Sequence, residues 1–202
     1  MPRTNRKSAM KVVDGTVKRK NNWIKDAGDY TRRYQDEIVL DRRDPGPGRR
    51  HFLTIGHLRE YLDLVPDRDR MHDWIDAIIL DGDPDPTLLG WYQGGVVALC
   101  SWEADLWWNH VTPRYVAEIE EVLDRIGVDY GPGPESTMQV RWTADQIRAF
   151  QLTFTLSHEL GHHHDLVTNR SWRVVRGEPY AETFALEMMR AVWPEYVRRF
   201  AV

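Results

Sequence analysis

The chain is poor in the residues that staple small or secreted proteins. One of its 202 residues is cysteine, Cys100, which excludes an internal disulfide framework and a cysteine-built zinc site. Lysine is absent after residue 25: Lys7, Lys11, Lys18, Lys20 and Lys25 are all of them, so residues 26–202 use arginine as their only strong base. No apolar run approaches membrane-spanning length, so no membrane partner is expected. The first 25 residues carry charges but lack the apolar stretch of a secretory signal. A cytoplasmic protein is the expectation, with export by a signal-less route left open.

What is present reads as one folded unit. With 42% hydrophobic and 29% charged residues, the composition is that of a globular chain rather than a disordered one. The length suffices for a real core without a metal or disulfide to hold it. The net charge of -4 hides a split. Residues 1–25 set eight basic side chains against Asp14 alone, a local charge of +7, which leaves -11 for the rest. The division expected is a basic flexible leader, 1–25, and a single domain, 26–202. The leader could bind nucleic acid or an anionic surface; the plainer alternative is a solvated tail.

Periodicity predicts mixed secondary structure. Apolar β-branched residues at 75–80 and 94–102 suggest buried strands, and 38–40 a short one. Leu58, Tyr61, Leu62 and Val65 have helical spacing before Pro66. Pro113 opens a helix whose stripe of Val116, Ile119, Val122, Leu123 and Ile126 ends at Gly127. Residues 138–142 alternate as a strand. Thr143 and Gln146 have capping-box spacing, so a helix should run from there to about Asp165. Another is expected over 178–192, ended by Pro194. Strands followed by helices without regular βαβ alternation suggest an α+β fold.

The chemistry lies in His158-Glu159-Leu160-Gly161-His162, an H-E-x-x-H pattern. Residues four apart share a helix face, so both imidazoles can reach one metal ion, while Glu159 lies beside them where it can act on a water as general base. Gly161 inside a helix costs about 1 kcal/mol relative to alanine, which suggests close approach of another element. Glu178 and Glu182, four apart on the next predicted helix, could supply the third protein ligand that a catalytic zinc needs. The alternative is a polar helix pair and a solvated helix start with no metal. Of the histidines that follow, His163 reads as a surface residue and His164 as a contributor beside the metal. Arg173 and Arg176 could stabilise an oxyanion, surface charge being the plainer role, and Tyr180 falls off the Glu178/Glu182 face.

Residues 137–192 resemble the gluzincin class of zinc metallopeptidases. The segment Glu178-Pro-Tyr-Ala-Glu182-Thr-Phe-Ala185 is similar to the glutamate helix of the ImmA/IrrE-like and anthrax-lethal-factor-like metallopeptidases. The resemblance implies a zincin-like fold, in which a small mixed sheet packs on the HExxH helix and a following glutamate helix. It implies Zn²⁺ held by His158, His162 and Glu178, with Glu182 buttressing the site. Fifteen residues separate His162 from Glu178 and nineteen separate it from Glu182. Nineteen is a spacing of thermolysin-like gluzincins, so the motif favours Glu178 and the spacing Glu182. The activity implied is hydrolysis of a protein or peptide substrate by a zinc-activated water, with Glu159 as base. An edge strand beside the site would pair with extended substrate, residues 96–102 or 138–142 being the candidates, with Trp102, Trp107 or Trp108 in a pocket or, more simply, in the core. A regulatory or nucleic-acid-associated protein using the leader is the competing expectation, with proteolysis of a repressor-like partner or none.

Overall fold

Residues with the highest β-branched and apolar content form the centre of a four-stranded sheet. β5 (Ala77–Asp81) and β7 (Val96–Cys100) are buried along their whole length, because a strand with neighbours on both sides and covered faces has no solvent side to make polar. β3 (Val39–Arg42) runs parallel to β5, β5 runs parallel to β7, and β6 (Gly90–Gln93) pairs antiparallel with β7 at the edge. The computed structural model describes residues 10–13, 16–19, 30, 38–66, 75–82, 88–169 and 176–201; for 10–13, 16–19, 109 and 110 only the backbone is considered. Among these residues the architecture is α+β with small sheets.

Two short strands, β4 (Arg49–Arg50) and β8 (Trp102–Glu103), pair with each other. A second sheet has the order β10-β11-β9, built from β9 (Trp107–Val111), β10 (Asp129–Pro132) and β11 (Met138–Arg141), all antiparallel. Three tryptophans, Trp102, Trp108 and Trp142, gather beside it with Phe150 of the helical layer. Trp102 stacks on Trp108 with centroids 4.7 Å apart, and Trp142 meets Phe150 edge-on at 5.1 Å. This cluster is core packing, which aromatic rings favour through offset and edge contacts.

The helices depart from the expected bounds for local reasons. α1 (Ile55–Leu62) carries a Thr54 cap that accepts from the His57 amide. The stripe after Pro113 is broken at Ile119 into α2 (Pro113–Glu118) and α3 (Glu120–Ile126). The Thr143/Gln146 capping box starts α4 (Ala144–Phe150) as predicted. A π-helical stretch, Gln151–Thr155, then leads into α5 (Leu156–Thr168), which outruns the expected end at Asp165. Gln151 anchors that stretch to the sheet by donating from Nε2 to the Cys100 carbonyl at 2.8 Å. The last helix, α6 (Gly177–Phe200), passes through Pro194 instead of ending there. The proline is exposed, so the carbonyl it leaves without an amide partner is open to water.

Within residues 1–25, β1 (Met10–Val13) and β2 (Thr16–Arg19) form an antiparallel ribbon of their own, where the sequence predicted no regular structure. No helix among the described residues is long and apolar enough to cross a membrane.

Candidate metal centre

α5 presents His158 and His162 one turn apart, and the first turn of α6 brings Glu178 to them. Nε2 of His158 lies 3.1 Å from Nε2 of His162 and 3.1 Å from Oε2 of Glu178; Nε2 of His162 lies 3.4 Å from Glu178 Oε1. A tetrahedral zinc with ordinary bond lengths requires donor atoms about 3.3–3.5 Å apart. Three lone-pair donors at these separations repel one another unless protons or a cation lie between them. Nδ1 of His162 is buried without a hydrogen-bond partner among the described residues, so that ring makes its polar contacts through Nε2. Burial first, then the neighbouring His162, lowers the pKa of His158 against the opposing pull of Glu178. The neutral imidazole this favours is the form that ligates metals. Two imidazoles and a carboxylate on two helices fit a zinc site with one open position, and these three residues form one group of converging ligand atoms.

Glu159 lies on the buried side of α5 at 6% exposure. Burial, and secondarily the Glu178 carboxylate, raise its pKa to about 8; a dication held by the triad would pull the other way. Space for its carboxylate comes from Gly90 on β6. A Cβ there would stand 2.9 Å from Glu159 Oε1 and 2.8 Å from the Ala98 carbonyl oxygen.

Glu182, one turn beyond Glu178, stands on the wall of the same cleft but outside the His158–His162–Glu178 group. The cleft encloses about 580 Å³ and is open to solvent. β6 and the two residues before it form one part of its wall, α2 with Ile119 another, and the π-helical stretch, α5 and α6 the remainder. β6, not either strand expected from the sequence, is the edge strand beside the motif: residues 96–100 lie inside the first sheet and β11 inside the second. The tryptophan in this wall is Trp91.

Two expectations fail here, and a third residue takes the plainer of its two roles. His164 does not line the cleft: its Nδ1 is 2.6 Å from the Tyr180 hydroxyl and its ring stacks on Phe184, since two residues beyond His162 the helix has turned to its other side. His163 is no surface residue. It is 1% exposed, with Nδ1 3.1 Å from the Tyr92 hydroxyl, because it sits four residues from Glu159 on the face that meets β6. Arg176 takes the plainer of the two roles weighed for it, an exposed charge outside the cleft wall. It packs over the Tyr180 ring, and its Nε donates to Asp165 Oδ1 at 2.7 Å. Arg173 lies outside the described residues.

Two supports were missed by the sequence reading. Asp165, fully buried, also accepts the Arg176 backbone amide at 2.7 Å, which fixes the start of α6 two residues before Glu178. Tyr61 on α1 bonds Ser157 on α5 at 3.1 Å. Neither pair has a short-range sequence signal, because the partners are set by helix packing. Compared with known proteins, the chain matches no family model, no curated protein and no solved structure.

Proposed function

We propose that the protein is a zinc-dependent peptidase of zincin-like architecture, acting on protein or peptide substrates. The observation that carries this reading is the convergence of His158 Nε2, His162 Nε2 and the Glu178 carboxylate beside the buried Glu159. Zinc bound there would polarise a scissile carbonyl and lower the pKa of a water. Glu159 takes a proton from the attacking water as its oxygen bonds to the acyl carbon. When the C–N bond breaks, Glu159 returns that proton to the amine nitrogen, giving a carboxylate and an amine. The edge of β6, which pairs with no other strand than β7 among the described residues, offers backbone groups with which an extended peptide could pair.

The test has two parts. Elemental analysis of the purified protein should find one zinc per chain. Glu159→Gln should keep that zinc and lose hydrolysis of a peptide mixture. A variant that still cleaves at the full rate, or a chain that takes up no zinc, sinks the proposal.

A second reading rests on the basic ribbon of the leader. Its backbone register pairs Lys11 with Lys18 and Met10 with Arg19, within a segment whose net charge of +7 suits a polyanion. Two-stranded ribbons also fit the major groove of DNA. Duplex binding that falls steeply with salt would support it; no binding at low salt removes it.

A further inference from the structure

The cleft wall carries more negative charge than the metal chemistry uses. Beyond Glu159 and Glu178, Glu118 from α2 and Glu182 from α6 line it, and among the described residues no lysine or arginine does. Both carboxylates act on the phenol of Tyr115, which also lines the cleft: burial, then Glu118, then Glu182 raise its pKa to about 12. Ile119 and Leu186 add apolar surface to the same wall. Leu186 follows Glu182 by one turn, as Glu182 follows Glu178, so one face of α6 runs from the metal group past a carboxylate to an apolar side chain. Thr155, 4% exposed, also lines the cleft, and its hydroxyl has no hydrogen-bond partner among the described residues.

We infer that this part of the cleft is a specificity subsite for a lysine or arginine side chain of the substrate, read by Glu118 and Glu182 together with the Tyr115 ring. The inference rests on the peptidase reading and names its substrate class. An apolar stem along Ile119 and Leu186 with a charged tip between carboxylates is how such side chains are accommodated. A cation over the face of Tyr115 gains further. Glu118 already shares an ion pair with Arg114 at 2.9 Å, but that arginine is exposed and outside the cleft wall, so water screens the pair. Glu182 has no ion-pair partner among the described residues.

The experiment uses the full-length, zinc-loaded protein and a peptide mixture, with cut sites mapped by mass spectrometry. Lysine or arginine should be enriched at one fixed position relative to the cut. For a matched pair of peptides carrying Lys or Gln there, the ratio of kcat/KM values should favour Lys about fivefold or more. That ratio should shrink in Glu118→Gln/Glu182→Gln, and in the unmodified protein as salt is raised. Because the readout is a ratio, a general loss of activity in the variant does not mimic the effect. Cutting without basic enrichment, or enrichment that survives the double substitution, overturns the subsite and leaves the peptidase reading standing. No cutting at all overturns both.

Discussion

Gly90 and Glu159 are fitted to each other: a methyl group on Gly90 would come within 2.9 Å of the Glu159 carboxylate, with the Ala98 carbonyl and Thr155 equally close. The Ala98 carbonyl is backbone and yields only with its strand, so the group left to give way is the Glu159 carboxylate itself. The edge strand β6 is thereby packed against the group that would handle the proton.

Gly90→Ala should therefore impair catalysis more than metal binding. The added carbon must displace either Glu159 or β6, at a cost of about 1–3 kcal/mol in stability. Peptidase assays should show a loss of tenfold or more, about 1.4 kcal/mol of transition-state stabilisation. Zinc content should stay at the level of the unmodified protein, because the three atoms nearest the added carbon belong to Ala98, Glu159 and Thr155 and not to His158, His162 or Glu178. Unchanged turnover would show that the close fit has no catalytic consequence.

Glu178 and Glu182 should separate cleanly in a zinc titration. Glu178 contributes an oxygen 3.1 Å from His158 Nε2, whereas Glu182 stands on the wall one turn away. Glu178→Ala should weaken zinc binding about 100-fold or more, and Glu182→Ala by less than about tenfold. The reverse order would mean that the nineteen-residue spacing, not the motif, identifies the ligand.

The parts of the site that follow helical phase were legible in the sequence. His158 and His162 share a face because they are four apart, and Glu178 stands in the first turn of the next helix, where the periodicity over 178–192 predicted its start. What was not legible depends on which element packs against which face. His163 reads as polar and exposed, yet its face meets Tyr92 on β6. β6, Gly90–Gln93, is hidden because Tyr92-Gln93-Gly94-Gly95 has the composition of a turn ahead of the strand expected at 94–102. The ribbon around Asp14-Gly15 did have a signal, since that dipeptide between valine-containing runs is a hairpin pattern; the density of charge concealed it. The strands beside the tryptophans were identified, but their places within the sheets, interior or edge, depend on long-range pairing that periodicity does not encode.

Asp165 should be a structural lock on the metal group. It is fully buried and accepts both the backbone amide and the guanidinium of Arg176. Asp165→Ala removes charge-assisted bonds that hold the start of α6, and should cost about 2–4 kcal/mol in denaturant unfolding. Zinc affinity should fall with it, since Glu178 lies two residues beyond the anchored amide. Arg176→Ala leaves the amide bond to Asp165 in place and should lose less on both measurements. Equal losses would place the effect in the side-chain ion pair alone.

Gly161→Ala sets two magnitudes against each other. In an isolated helix the change gains about 1 kcal/mol, since glycine is the costlier residue mid-helix. In the folded protein the new carbon would lie 2.9 Å from the Ala181 Cα, 3.2 Å from the Ala181 carbonyl oxygen and 3.3 Å from Phe184 Cβ. Two of those are backbone atoms of α6 and the third is the root of a side chain, so relief requires the helices to separate. Overpacking of this kind costs about 1–3 kcal/mol, enough to cancel the propensity gain and usually exceed it. Ala181 lies three residues beyond Glu178, so the same separation pulls the carboxylate from the imidazoles. The expected result is a protein no more stable than the original and a weaker zinc site, measured by denaturant titration and by competition with a chelator. A Gly161→Ala protein that gains the full helix-propensity increment and binds zinc unchanged would show that α5 and α6 do not approach this closely.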